Sequence, residues 1–338
     1  MGHRHQLTAR ALRAALGELA RGITGVGSPL EVSLPAEQAA RTRSATLLHD
    51  RSMRARVIAA PVAAAGTPPG FDAFLDGVQE SRVVAYAGVI PIVHGRTAAV
   101  VRSRVQRRLV TWGEGARTDD ALYLPVPTIP ESLVEALEGT GCAVIDTSDA
   151  SIDADEAHPQ QWLRRAVHLV QRGREALERA LADAWCAAPG ESMLYVDGGL
   201  PASEVVLQSA RAVGVIKSHH TLYATGAALA AVMALGAGER SSVFVVETRW
   251  REPVASWYLR LRAPGGHDPL WGLVRVECPL SMLTGDPRQG EQTADRVSQW
   301  VTAESSPLSL PDARWDTMAY GIRDCEVYLR ATLGRLAT

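Results

Sequence analysis

Hydrophobic and polar positions divide the chain into a helical start, a strand-rich middle and a second half in which strands and helices alternate. In residues 6–22 the apolar positions recur at helical spacing: Leu7, Leu12, Leu16, Leu19 and Ala20. Pro35 opens a second predicted helix over residues 36–48, and an Ala/Pro/Gly-rich run over 61–70 predicts a linker. We therefore expect a helical N-terminal extension over residues 1–65 and a main domain over residues 66–338 that closes with helices.

The start of the main domain is rich in β-branched and apolar residues. Four segments are predicted as strands: residues 71–76, 82–94, 97–101 and 108–112. Gly77 and Gly95 are predicted to occupy turns. The connections are too short for crossovers, so these strands are expected to run antiparallel.

The second half alternates strands with helices. A short helix over residues 130–137 and an apolar strand over 142–145 precede a long amphipathic helix over 160–187. The next predicted elements alternate strand, helix, strand, helix: residues 193–196, 202–212, 213–217 and 222–235. This alternation predicts parallel pairing. Three strands and two helices follow: residues 242–248, 255–262, 270–277, 292–303 and 315–336.

The order of the elements predicts an α/β fold. Antiparallel strands, then a helix, then a parallel strand–helix–strand unit, with flanking helices, are typical of the RNase H-like mixed sheet. In that fold, acidic residues lie on the first strand, on a following helix and on the fourth strand. Acidic residues at the corresponding places of this chain are therefore candidates for a functional site.

Composition limits the classes of function. The chain of 338 residues is 46% hydrophobic and 21% charged, which is ordinary for a globular protein. It has no run of about 18 apolar residues, so no membrane span is expected. The four cysteines form no pairwise motif, which favours reduced thiols in a cytoplasmic protein. With a net charge of −2, any DNA contact would have to come from a local cluster or a partner.

Two aspartates each follow an apolar run and precede glycine. Asp76 ends the predicted strand 71–76, and Asp197 follows the predicted strand 193–196. Carboxylates at the rim of a sheet are well placed to bind ligands, and oxygen donors suit Mg²⁺ or Mn²⁺. Such ions support phosphodiester cleavage. The alternative is that each Asp-Gly pair is an ordinary turn.

A third carboxylate is expected from the long helix. Glu178 lies beside the apolar stripe of that helix and can face the sheet, so it ranks first. Glu175 lies farther round toward solvent and is the alternative. A solvated helix face is the competing interpretation for both residues.

Lysine is nearly absent from this chain, which makes its one occurrence informative. Of 35 Lys and Arg residues, only Lys217 is lysine, and it ends the predicted strand 213–217. Lysine acts as a compact point charge that can approach an oxyanion, so Lys217 is a candidate active-site cation. His219 and His220 follow it, and either could bind metal or cap the loop.

Short motifs, in their order along the chain, resemble the NurA family of nucleases over roughly residues 70–335. The central motifs are Phe74-Leu75-Asp76-Gly77, Leu194-Tyr195-Val196-Asp197-Gly198-Gly199-Leu200 and Val213-Gly214-Val215-Ile216-Lys217-Ser218. The likeness continues through Trp257-Tyr258-Leu259-Arg260-Leu261 and Leu273-Val274-Arg275-Val276-Glu277-Cys278-Pro279.

The resemblance implies an RNase H-like nuclease core that degrades single- and double-stranded DNA in DNA end resection and repair. It implies Mn²⁺ (or Mg²⁺) as cofactor, a homodimer, and a hexameric HerA-type translocase as partner. It assigns Asp76, Asp197 and a helix glutamate as metal ligands, and Lys217 as an active-site cation.

The chain departs from the family near its C-terminus. Family members often carry a Tyr and a His there, but this chain has no histidine after His267. Tyr320, Asp316 or Asp324 could substitute. The missing histidine and the near-neutral charge leave open a non-catalytic adaptor that docks on and stimulates the translocase. A third hypothesis is an actin/hexokinase-type phosphotransferase, which shares the core topology and would use the Asp197-Gly198-Gly199 loop to face phosphate.

Overall fold

A computed structural model of the protein describes residues 40–58, 70–106, 108–149, 158–249, 251–305 and 320–335. The predicted helix over residues 6–22 lies outside these ranges. The described residues form a mixed α/β structure with one large sheet of parallel and antiparallel strands and helices on both faces. The predicted α/β class with a mixed sheet flanked by helices is therefore confirmed.

The described residues contain fifteen strands and six α-helices. The strands are β1 Arg41–Thr42, β2 Thr46–Leu47, β3 Ala55–Val57, β4 Ala73–Ala87, β5 Ile90–Val105, β6 Arg108–Thr111, β7 Arg117–Leu124, β8 Ala143–Asp146, β9 Leu194–Asp197, β10 Ala212–Ile216, β11 Thr221–Leu222, β12 Glu239–Ser241, β13 Phe244–Thr248, β14 Arg251–Arg260 and β15 Leu273–Pro279. The helices are α1 Glu131–Glu138, α2 Pro159–Ala187, α3 Glu204–Ser209, α4 Gly226–Met233, α5 Pro287–Glu304 and α6 Tyr320–Arg335.

The centre of the sheet has the strand order β7-β5-β4-β9-β10. Strands β4, β5 and β7 pair antiparallel, as their short connections predict. Strand β9 pairs parallel with β4, and β10 pairs parallel with β9, as the alternation with helices predicts. On the far side of β10 the sheet continues antiparallel through β15, β14 and β13 to β2.

The first hairpin differs from its prediction. β4 and β5 are long strands joined at Gly88, which has a φ of +61°, so the predicted strand 82–94 spans the real turn. The predicted turns at Gly77 and Gly95 are wrong because both residues lie within these strands. A Cβ on Gly95 would collide with Val170, so the absence of a side chain at Gly95 allows α2 to pack closely on β5.

The segment before the main domain also differs from its prediction. Residues 40–48 of the helix predicted over 36–48 are not helical, because β1 pairs with β11 and β2 pairs with β13. β3 pairs in turn with β12. Edge pairing with the main sheet therefore overrides the local helical preference, and residues 40–58 of the predicted helical extension form strands.

Two hydrophobic layers cover the sheet. On one face, Leu181 and Trp185 of α2 pack in the same cluster as Leu75 and Val196. On the other face, α6 covers the ring of Phe74, and the Sγ of Cys325 donates to the carbonyl oxygen of Phe74 at 3.4 Å. Helix α5 contributes to the same cluster. The faces matter for function because adjacent residues of β4 point to opposite helical layers.

Candidate metal site at a notch in the sheet

A notch opens in the sheet where β9 and β10 end and β4 continues. β4 pairs with β9 only as far as Leu75, which lies opposite Val196, and residues 76–87 pair with β5 alone. β9 ends at Asp197 and β10 ends at Ile216. Among the described residues, no strand therefore pairs with this edge of β4 beyond Leu75, and we call this gap in the sheet the notch.

Asp76 and Asp197 lie level with each other on neighbouring strands at the notch. The register that pairs Leu75 with Val196 places the next residue of each strand side by side. Phe74 and Tyr195, two residues earlier on each strand, pack with ring centroids 5.8 Å apart on the α6 face. Because side chains two residues apart on a strand point to the same face, both aspartates also point to the α6 face. The prediction that Asp76 ends its strand is wrong, because β4 runs on to Ala87. It is β9 that ends beside Asp76.

Glu178 reaches the same place from α2 on the opposite face. A Cβ added to Gly77 would collide with the carboxylate of Glu178 and crowd the side chain of Arg174. The absence of a side chain at Gly77 thus lets a glutamate from the helix approach the strand next to Asp76. Three carboxylates from β4, α2 and β9 converge at the notch.

The electrostatics of this cluster are unfavourable without a cation. Burial, together with the charges of Asp197 and Glu178, raises the pKa of Asp76 to about 8, although Lys217 and the Gly77 amide oppose the shift. Burial also raises the pKa of Glu178 to about 7, against the opposing effect of Arg174. Neighbouring buried carboxylates disfavour each other's ionised forms, and a bound cation reverses that effect.

Two basic side chains hold the carboxylates from either side. The Nζ of Lys217 lies 2.7 Å from Oδ1 of Asp197. Arg174 pairs with Glu178 one helical turn away, and its Nε donates to Oε1 of Gln79 at 3.1 Å. Lys217, which follows β10, therefore orients Asp197, and Arg174 orients Glu178 from the same helix.

The donors fit a hard divalent ion, although their present arrangement is not a finished coordination shell. Among the described residues, no group of three or more His, Cys, Asp and Glu side chains has the geometry of a metal site. Glu178 and Asp197 point at Arg174 and Lys217 instead. An incoming Mg²⁺ or Mn²⁺ would exchange these ion pairs for metal contacts, and carboxylate oxygens are the donors such ions prefer.

A cleft with a volume of about 330 Å³ opens onto Asp76 and Asp197. Its floor is β4 residues 76–80 with Asp197 and Lys217, and its wall is α6. The wall includes Arg323 and Arg330, of which Arg330 pairs with Glu326 at 2.9 Å. Sequence reasoning missed these helix residues because helical periodicity predicts α6 but does not show which of its turns meets the notch.

The remaining candidate residues lie elsewhere. Glu175 is exposed and accepts a hydrogen bond from Gln171, so the structure favours Glu178 as the helix glutamate. Tyr320 is 47% exposed at the start of α6 and does not line the cleft. Asp324 pairs with Arg102 at 2.5 Å, and Asp316 lies outside the described residues.

His219 has a structural environment. Its Nε2 lies 2.9 Å from the carbonyl oxygen of Leu273, and its ring packs against that of Tyr258 with centroids 6.0 Å apart. Burial lowers the pKa of His219, which favours the neutral ring. The residue therefore supports β14 and β15 and does not line the cleft.

The arginines of β5 also serve structure. Arg102 binds Asp324, and Arg104 makes a bidentate ion pair with Glu304 at 2.9 and 2.8 Å. These bonds tie the sheet to α6 and α5, so the two arginines have structural partners.

The sequence matches no protein-family model and no curated protein. No helix in the described parts of the chain is long and apolar enough to cross a membrane.

Proposed function

We propose that the protein is a metal-dependent DNA nuclease. The observation that carries this proposal is the convergence of Asp76, Glu178 and Asp197, from three separate elements, at one notch beside Lys217. Three carboxylates placed together suit a divalent ion, and a cleft beside them leaves room for a substrate.

The topology supports an RNase H-like core. The order β7-β5-β4-β9-β10, with three antiparallel strands followed by two parallel ones, is that expected of such a core. The acidic residues also occupy the expected elements, namely the first strand, a helix and the fourth strand. The likeness is one of architecture, and the function rests on the side chains at the notch.

Each residue has a distinct role in this proposal. Asp76 and Asp197 would hold Mn²⁺ (or Mg²⁺) from the sheet, and Glu178 would hold it from α2. When bound, the ion supplies a Lewis acid and a template for the scissile phosphate. Lys217 binds Asp197 and presents its ammonium to the cleft, where it can neutralise charge that develops on a phosphate oxygen.

NurA-type partners follow from the motif resemblance and belong to the same proposal. The substrate would be single- and double-stranded DNA, and the protein would work as a homodimer with a hexameric HerA-type translocase in DNA end processing.

The non-catalytic adaptor is the second candidate. It is favoured by the ion pairs that Lys217 and Arg174 make with two of the three carboxylates, because such pairs can replace a metal.

The phosphotransferase hypothesis fits less well. The amide of Gly198 donates to Val215 and the amide of Leu200 donates to Glu277, so these donors of the glycine loop are not free for phosphate.

The decisive experiment compares cleavage of labelled DNA in Mn²⁺ by the wild type, Glu178→Gln and Glu175→Gln. The two variants remove the same charge one turn apart, but only Glu178 lies at the notch. We expect Glu178→Gln to lose cleavage and Glu175→Gln to retain it. Equal cleavage by all three proteins would refute the site, and no cleavage by the wild type would favour the adaptor.

A further inference from the structure

A row of basic side chains runs along the exposed flank of α2. Its members recur at helical spacing and are all exposed: Arg164, His168, Arg172 and Arg179. From Arg164 to Arg179 the row extends about 22 Å, since a helix rises roughly 1.5 Å per residue. Within the described parts of the chain, the three arginine side chains have no ion-pair or hydrogen-bond partner. We call these four residues the arginine row.

The arginine row lies on the flank of α2 that faces away from β5 and β7. The opposite flank of α2 packs on β5 and β7, where Gly173 lies against Thr97 and the hydroxyl of Tyr123. Ala182 and Cys186 each lie five helical turns from a member of the row, and therefore on its flank. Both are buried in the cluster that contains Leu194 and Val196 of β9 and Ala212 of β10. The arginine row therefore lies on the same flank of α2 as Ala182 and Cys186, but nearer the N-terminus of the helix.

The row also leads to the carboxylates. Arg179 follows Glu178 directly, whereas Arg164 lies about 20 Å away along the helix. Glu175 is the acidic exception on this flank, and its carboxylate accepts from Gln171. On the other side of the notch, Arg323 and Arg330 line the cleft together with Glu80 and Glu326, and Arg330 pairs with Glu326. The exposed flank of α2 therefore carries a local excess of positive charge beside an acidic centre, in a protein whose net charge is −2.

We propose that the arginine row binds the phosphate backbone of one DNA strand and leads that strand along the open edge of β4 to the carboxylates. This inference rests on the proposed nuclease function of the notch. A row of unpaired arginines is complementary to a chain of phosphates, because guanidinium groups bind phosphate oxygens in pairs. The row is a single side chain wide, so it contacts one phosphate backbone.

The test uses a triple variant, Arg164→Gln, Arg172→Gln and Arg179→Gln, in an Asp76→Asn background that keeps the DNA intact. The matched control, Arg43→Gln, Arg51→Gln and Arg288→Gln, removes the same charge from exposed arginines on the β1–β2 side and at the start of α5. Binding of a fluorescent single-stranded oligothymidine is measured by anisotropy over a range of salt concentrations.

We expect the row variant to bind at least tenfold more weakly at low salt. The slope of log affinity against log salt should fall by about 2 in magnitude, since each phosphate contact on a single strand contributes roughly 0.7. The control variant should keep the parental affinity and slope. Lysine at the same three positions should restore the slope, because it keeps the charge.

The possible outcomes distinguish failure of the arginine-row proposal from failure of the nuclease proposal. If the row variant and the control share the parental slope, the row is not a DNA track, whatever the protein cleaves. If the wild type binds DNA through the row but no divalent ion supports cleavage, the nuclease proposal fails and the row stands. A wild type that does not bind DNA overturns the row.

Discussion

Gly77 lies against the carboxylate of Glu178, so that a Cβ at this position would overlap the glutamate oxygen. The contact explains why an Asp-Gly pair occurs in the middle of a long strand. Asp76 places a carboxylate on the α6 face. Because Gly77 has no side chain, Glu178 of α2 can bring a second carboxylate close to Asp76 from the other face.

Replacing Gly77 by alanine should therefore disable the site without unfolding the protein. The added methyl group pushes Glu178 away from Asp76, and we expect Mn²⁺ affinity to fall about 10–100-fold, as for changes beside a metal ligand. Titration calorimetry with Mn²⁺ measures the effect. Gly334→Ala on α6 is the control, since a Cβ there meets nothing within 4 Å. Unchanged Mn²⁺ affinity in Gly77→Ala would show that Glu178 does not bind the ion.

Asp76 should make the ion-free protein less stable as the pH rises. Its pKa is raised from 3.8 to about 8 in the folded protein, so the unfolded chain releases this proton far more readily. The destabilisation is absent below about pH 4, grows between pH 4 and 8, and is complete above pH 8. Asp76→Asn removes it.

Thermal unfolding of the ion-free protein measures this effect. We expect Asp76→Asn to be more stable than wild type at pH 8.5 by an amount on the order of 2 kcal/mol, and to match it at pH 4. A Tm difference that does not change between these two pH values would contradict a buried, protonated Asp76. Saturating Mn²⁺ should reduce the difference by stabilising only the wild type.

The sequence predicts much of this arrangement, for reasons that particular residues illustrate. Apolar runs end at Asp197 and at Lys217, and helical spacing directs Glu178 toward the sheet, so local patterns suffice to select three of the four residues at the notch. The sequence selects Asp76 as a carboxylate at the end of a strand, with a turn at Gly77. In the structure β4 continues through both residues to Ala87, and it is β9 that ends beside Asp76.

Other features depend on contacts between distant segments. The helix predicted over residues 36–48 has a suitable composition, but pairing of β2 with β13, almost 200 residues later, makes its end a strand. The cleft wall depends on which turn of α6 meets the notch, and Arg102 and Arg104 are committed to Asp324 and Glu304 far along the chain. Periodicity contains no information about such partners.

Lys217 should act on the chemistry more than on the metal. Lys217 pairs with Asp197 in the ion-free protein, so its removal makes the site more negatively charged and should not weaken Mn²⁺ binding. We expect Lys217→Met to lower kcat about 100-fold, as for loss of one charge-stabilising group, with little change in KM. Steady-state kinetics with Mn²⁺ calorimetry measures both effects. A variant that loses Mn²⁺ affinity but keeps kcat at saturating metal would assign Lys217 a purely structural role.

Glu277 should control stability in acid. It is fully buried, and although burial alone would raise its pKa, Arg275, Arg251 and the amide of Leu200 lower the pKa to about 2. Arg251 Nη1 also donates to the carbonyl of Leu200 at 2.7 Å, so this cluster holds the loop that follows Asp197. The folded state therefore favours the ionised carboxylate. Its stabilising effect is complete above about pH 4.5 and is lost as the pH falls from 4.5 toward 2.

Glu277→Gln removes that pH dependence and leaves two arginines without their carboxylate. At pH 7 we expect a loss of about 3 kcal/mol in the free energy of unfolding, the usual effect of breaking a buried ion pair. The difference from wild type should shrink below pH 4. Denaturant unfolding at pH 7 and pH 3 measures it, with the exposed residue Glu175→Gln as the control for charge removal. An equal loss at both pH values would mean that Glu277 is not ionised in the folded protein.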